Sequence, residues 1–164
     1  MGLKAIISRV AGSSSGIQAR VGLNESEANQ VHPLRDDGMT VGEVAALQEF
    51  GSRDGHIPAR PFLRSTLMWN RGIQRELKGV LAQVSRMVIF QGVSQLVAMR
   101  HAGAWGARKV SEAIRAGIKP DNADRTVREK GHDMTLRHTM TLLAAISYDV
   151  VKRGRIAFVE GDEE

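Results

Sequence analysis

An α+β fold is what this sequence predicts: an antiparallel sheet built from N- and C-terminal strands, packed with a long central helix and shorter helices. Three observations predict it. Near the start, IQARVGL sets Ile17, Ala19, Val21 and Leu23 against Gln18, Arg20 and Gly22, the period of two of a half-buried strand. Near the end, ISYDVV and RIAFV are both β-prone, with KRG between them as a hairpin turn. In the middle, Ile73, Leu77, Val80, Leu81, Val84 and Val88 follow the three-and-four rhythm of one helix face. Strands, then helices, then strands argue for strands from both chain ends on one sheet. No internal repeat or linker composition interrupts residues 1–164, so one domain is expected.

Taken in order, Leu3 to Val10 and Ile17 to Leu23 read as two strands around the turn AGSSSG. Asn24 to Asp37 is polar, holds Pro33 and reads as an exposed loop at about 24–38. A helix should start at Thr40, because Thr40 and Glu43 have capping-box spacing. Val41, Val44, Ala45, Leu47 and Phe50 give it apolar surface, and Gly51 stands where a left-handed cap would fall. The longest helical region is expected over about Pro61 to Ala104, with Pro61 at a first helical position. Gly72, Gly79 and Gly92 weaken it, and a break is expected near Gly92. HAGAWGARK reads as a Gly-Ala break around Trp105, followed by a short amphipathic helix from Val110 to Ile118. Pro120 to Asp133 is a polar connection, and Leu136 to Ile146 a further short helix. The chain closes on an acidic tail, EGDEE.

Composition narrows the chemistry. There is no cysteine, which removes disulfides, thiol catalysis and cysteine-based zinc sites. The N-terminus lacks the continuous apolar run of a signal peptide, and no segment is long and apolar enough for a membrane span. The protein is expected in the cytoplasm where it is made, with no membrane partner. A net charge of +5 permits nucleic-acid or acidic partners without specifying one. His32, His56, His101, His132 and His138 form no HExxH pair, and the proximity of His132, Asp133 and His138 reads as ordinary surface. The serines of GSSSG lie between strands, so they do not make a nucleophile elbow. No phosphate-binding glycine loop is present. Glu43 and Glu49 share a short helix, but Glu43 is better used as its cap. No enzyme, cofactor or metal is therefore expected. Arg53, Arg60, Arg64, Arg71 and Arg75, with Phe62 and Trp69 among them, keep a basic DNA-binding or packaging-related protein as an alternative.

Two blocks carry a family resemblance. VAALQEFGS, Val44 to Ser52, followed by IPARPFLR, Ile57 to Arg64, resembles the signature of the neck or tail-completion proteins of tailed bacteriophages, the small head–tail joining, minor tail-like proteins. TVREKGHDMTLRHTMTLLAAISYDV, Thr126 to Val150, is similar to the family's second block. With the strand QARVGL the resemblance covers most of the chain in the right order. The chain departs from the family where Thr135-Leu136 replaces Pro-Leu and His138-Thr139-Met140 replaces Asp-Thr-Gly. Without that glycine, Thr135 to Ile146 is expected to run as one helix.

The resemblance implies a structural virion protein, made in the host bacterial cytoplasm and placed in the neck or tail region. It implies a homo-oligomeric ring that completes the tail and joins it to the head connector. The sibling role is a tail-tube terminator ring. Analogy gives about six subunits for tail-completion and terminator rings and about twelve for head-proximal connectors. The implied partners are further copies, neighbouring connector and tail-tube or terminator proteins, and genomic DNA passing through the lumen without sequence-specific binding. The stretch joining the two halves of the first block, QEFGSRDGHIPARPFLRST, is the candidate joint. Its residues are Phe50, Gly51, Arg53, Ile57, Pro58, Arg60, Pro61, Phe62 and Arg64. Gly51 ends one helix, Pro58 keeps Ile57 extended, and Pro61 launches the next helix while Phe50, Phe62 and Leu63 anchor it. Arg53, Arg60 and Arg64 are candidate subunit contacts or lumen-facing charges.

Overall fold

Four strands form one antiparallel sheet in the order β1-β2-β3-β4: β1 (Ser8–Gly12), β2 (Ile17–Leu23), β3 (Ile146–Lys152) and β4 (Arg155–Val159). The computed structural model describes residues 8–12, 16–33, 36–120, 140–152 and 155–159, with the backbone alone for 8–12 and for most of 155–159. The two chain ends meet at the centre, where β2 pairs with β3 from Ile17↔Lys152 to Leu23↔Ile146. The expected α+β architecture is the observed one. Of the expected first strand, Leu3 to Val10, the described part is strand and continues to Gly12; residues 3–7 and 13–15 fall outside the described residues.

The period of two does what it predicts. Ala19, Val21 and Val150 are buried on the face toward the helices. On the other face the directly opposed Arg20 and Asp149 form a two-pronged ion pair, with Arg20 Nε 2.7 Å from Asp149 Oδ1. A cross-strand pair of opposite charge supports this register, since a one-residue slip would bring Arg20 to the core.

The helices are α1 (Glu25–Ala28), α2 (Val41–Phe50), a single turn α3 (Phe62–Arg64), a π-helical segment Ser65–Trp69, α4 (Arg71–Gln91), α5 (Gln95–Ala116) and α6 (Thr141–Ala145). The polar stretch after β2 is therefore more than a loop. Asn24 accepts from the Ser26 amide at 3.0 Å and starts α1, and Val31 bridges to Thr40. The capping box of α2 is complete: the Glu43 amide donates to Thr40 Oγ1 at 3.2 Å, and the Thr40 amide to Glu43 Oε2 at 2.8 Å. The Thr40 amide and then the Thr40 hydroxyl, both donating to Glu43 Oε2, hold the exposed Glu43 carboxyl below its ordinary range.

The long helical region divides differently from expectation. Pro61 stands just before α3, which continues only through the π-helical segment to Asn70. There the backbone extends, and Asn70 Oδ1 accepts from the Gly72 and Ile73 amides at 2.9 and 3.1 Å, restarting the chain as α4. The break at Gly92 falls as expected. Gly92 takes the left-handed conformation at the end of α4, and Ser94 caps α5. No break exists at Trp105. α5 runs through HAGAWGARK without interruption and is the central helix of the domain, with Ala98, Ala102, Trp105, Val110 and Ile114 buried. Gly103 serves close packing: a Cβ there would lie 2.3 Å from Tyr148 Cδ2 on β3.

The helix expected over Thr135 to Ile146 begins only at Thr141, residues 135–139 being outside the described residues. Met140 takes the turn conformation of the glycine that the resemblance would place there, with φ of 59°. A side chain in that region costs about 1–2 kcal/mol. Met140 is largely exposed, so its side chain contributes little packing in return. Met140→Gly is expected to raise stability by about 0.5–1 kcal/mol after the added freedom of the unfolded chain is counted. A rise of a few degrees in Tm would show it; a fall would mean that Met140 contacts outweigh its backbone strain.

Candidate functional site

The stretch Gln48 to Thr66 folds as a closed corner. At the end of α2, Gly51 has φ of 79° and ψ of 169°, an extended left-handed exit in place of the expected left-handed helical cap. A Cβ there would sit 3.0 Å from both the Ala59 nitrogen and the Ile57 oxygen, so the returning chain requires glycine. The crossing SRDGH is held by its own polar groups. The Ser52 amide donates to the Ile57 carbonyl at 2.9 Å, and the Ile57 amide to Ser52 Oγ at 2.8 Å. The Ser52 hydroxyl and then the His56 amide donate to Asp54, holding its exposed carboxyl below the usual range.

The returning segment is tied to the end of α2 by one acidic side chain. Glu49 is 1% exposed. Its carboxylate accepts from the Leu63 amide at 2.9 Å, the Arg64 amide at 3.2 Å and Arg64 Nε at 2.8 Å. Arg64 also donates from its terminal nitrogen to the Glu49 carbonyl at 2.6 Å. The carboxylate thus acts as a cap for α3, supplied from 14 residues upstream. Phe62 and Leu63, 0% and 1% exposed, then enter the core together. Burial of each side chain contributes about 1.5–3 kcal/mol.

Arg60 supplies the second tie. It is buried, with Nε donating to the Pro120 carbonyl at 2.9 Å and a terminal nitrogen to Gln48 Oε1 at 3.2 Å. It joins α2 to the chain that leaves α5. Arg60 and Arg64 are therefore engaged inside the subunit, whereas Arg53 is exposed at the tip of the crossing. Pro58 is exposed and Ile57 and Pro61 are half-buried along the returning edge.

Phe50 departs from expectation. α2 buries Val41, Ala45 and Glu49 at four-residue spacing, which turns Phe50 outward at 51% exposure. The Arg64 guanidinium lies 4.7 Å from the Phe50 ring centre and 5.3 Å from that of Trp69. Trp69 is itself 59% exposed, with Met68 beside it in sequence and equally open. The corner thus presents two aromatic rings flanking a cation whose position is fixed by the buried Glu49. Sequence reasoning placed Phe50 and Arg64 at the joint but missed Glu49, Met68 and Trp69 as parts of it. One signal for Glu49 was available: a charged residue four positions after Ala45 and eight after Val41, on the buried face of its own helix.

Among the described residues, no group of three His, Asp or Glu side chains is placed to hold a metal ion. His132, Asp133 and His138 lie outside the described residues, as does most of the second resemblance block, residues 126–139. Within the described residues no helix is long and apolar enough to cross a membrane. Comparison with protein-family models, curated proteins and solved structures finds no match.

Proposed function

We propose that this chain is a structural virion protein of a tailed bacteriophage, forming a ring in the neck that completes the tail and joins it to the head connector. The observation that carries the proposal is the corner. The residues of the first resemblance block, EFG followed by IPARPFLR, interlock through Glu49, Arg60 and Arg64 into one preset unit. The outer side of that unit displays Phe50, Arg64 and Trp69. Aromatic residues and arginine held rigid before binding are the side chains that concentrate binding energy in protein interfaces. A ring needs a heterologous contact, in which one patch meets a different patch on the next copy and the rotation closes. The corner supplies one such patch. β1 and β4, the outer strands of the sheet among the described residues, are candidates for the other.

The experiment is alanine substitution on the outside of the corner. Trp69→Ala and Phe50→Ala remove exposed rings and should leave the melting temperature within a few degrees of the parent. Both should weaken ring formation at least tenfold in concentration, read by light scattering behind size-exclusion chromatography, and lower joining of heads to tails. If both variants assemble like the parent, the corner is not the subunit contact.

A further inference from the structure

The outward side of α4 carries a feature that the corner does not use. Arg71, Arg75, Lys78, Ala82 and Arg86 recur at i, i+4, i+7, i+11 and i+15, which places them on one side of a helix. At 1.5 Å rise per residue the row is about 22 Å long. All four cations are exposed, and none is in an ion pair among the described residues. Arg75 reaches only its own helix, at the Arg71 carbonyl, 3.4 Å away. The neighbouring acid, Glu76, points elsewhere: its carboxylate is 2.8 Å from Lys109 Nζ on α5, and this contact is the main cause that raises the Lys109 pKa. Among the described residues no carboxylate therefore neutralises these cations.

We infer that this face of α4 binds the phosphate backbone of duplex DNA without reading its sequence. A repeating row of cations needs a repeating polyanion. Arg71, Gln74, Arg75 and Lys78 line an open groove, which brings guanidinium, amide and ammonium donors to one place. Gly79 has open space where a Cβ would stand, and Ala82 is small, so little apolar bulk projects between the cations. A lipid surface fits less well. The apolar side of α4, with Ile73, Leu77, Val84 and Val88, is packed against the core, and the exposed apolar residues of the helix, Ile89 and Phe90, stand at its last turn beyond the row of cations and not along it. The inference deepens the neck proposal, on which it rests for the identity of the duplex: α4 would face the lumen, where the genome passes.

The test uses the full chain and a random-sequence 30-base-pair duplex, with fluorescence anisotropy over 50–200 mM salt and mass measured on the same samples. Arg75→Gln with Lys78→Gln should weaken binding about tenfold or more and make the slope of log K against log salt shallower by about two. Arg108→Gln with Lys152→Gln removes the same charge elsewhere and should leave the slope unchanged. Equal losses from both pairs would overturn the inference, because net charge alone would then explain binding. So would a parent protein that does not bind the duplex at 50 mM salt; rings in that sample would leave the neck proposal standing. If the stripe pair alone loses DNA while the parent is a monomer both here and when mixed with isolated tail tubes, α4 is a DNA surface and the neck proposal fails by itself.

Discussion

Glu49→Ala is expected to lower stability by about 3–5 kcal/mol, the range for breaking a desolvated, hydrogen-bonded charge pair by removing one partner. The substitution removes the acceptor of two backbone amides and the counter-charge of Arg64 in one step. The Leu63 amide is buried and would be left without its acceptor, which alone costs about 1–3 kcal/mol. Arg64 can recover part of its loss, since its side chain is 32% exposed and reaches water. For a chain of this length the total corresponds to a Tm about 10 °C lower or more. Glu49→Gln keeps the volume and one acceptor oxygen but not the charge, and should fall between the parent and Glu49→Ala. Chemical denaturation of the three proteins measures this directly. A loss below about 1 kcal/mol for Glu49→Ala would mean that the corner is not held by its carboxylate.

Gly103→Ala is expected to cost about 2 kcal/mol and to lower Tm by about 4–8 °C. Alanine is ordinarily the better helix former by about 1 kcal/mol, so the sign is informative. Its Cβ would lie 2.3 Å from Tyr148 Cδ2 and 2.9 Å from Cγ, well inside the ~3.5 Å at which carbon atoms rest. These are atoms near the root of the ring, and Tyr148 is itself buried, so the ring cannot simply swing aside. Either α5 lifts from β3 or the Tyr148 rotamer changes, and both loosen the core. Gly79→Ala is the matched control. It lies in α4 with open space at the Cβ position and should gain about 1 kcal/mol. Opposite signs for the same substitution on two adjacent helices would establish that α5 lies this close to the sheet. A gain at both positions would contradict that packing.

What was legible in the sequence was local. Thr40 and Glu43 are three residues apart and complete each other, so their box can be read without the fold. The alternation of IQARVGL fixed β2, and Gly92 marked the turn between the long helices because only its own backbone is involved. What was misread depended on distant partners. Gly103 and Gly106 resemble a break in sequence, yet Gly103 is required by a tyrosine on another strand. Glu49 resembles a solvated residue until the amides of Leu63 and Arg64 fold back over it. Phe50 resembles an anchor because it is apolar, but a buried charge one residue earlier turns it outward. Pro61 suits the start of the long helix, yet Asn70 starts it, since the chain must first bury Phe62, Leu63 and Leu67. At the joint, Arg60 and Phe62 fell in the right stretch, but their inward roles were set by Gln48, by the carbonyl at Pro120 and by the core.

The central claim is that copies of this chain close into a ring at the head–tail joint. The most direct measurement is the mass of the purified parent protein, alone and mixed with isolated tail tubes, by native mass spectrometry and light scattering. A single discrete multiple of the chain, free or formed on the tubes, is the predicted result. A strict monomer in both samples, binding duplex DNA with a steep salt dependence, would contradict it.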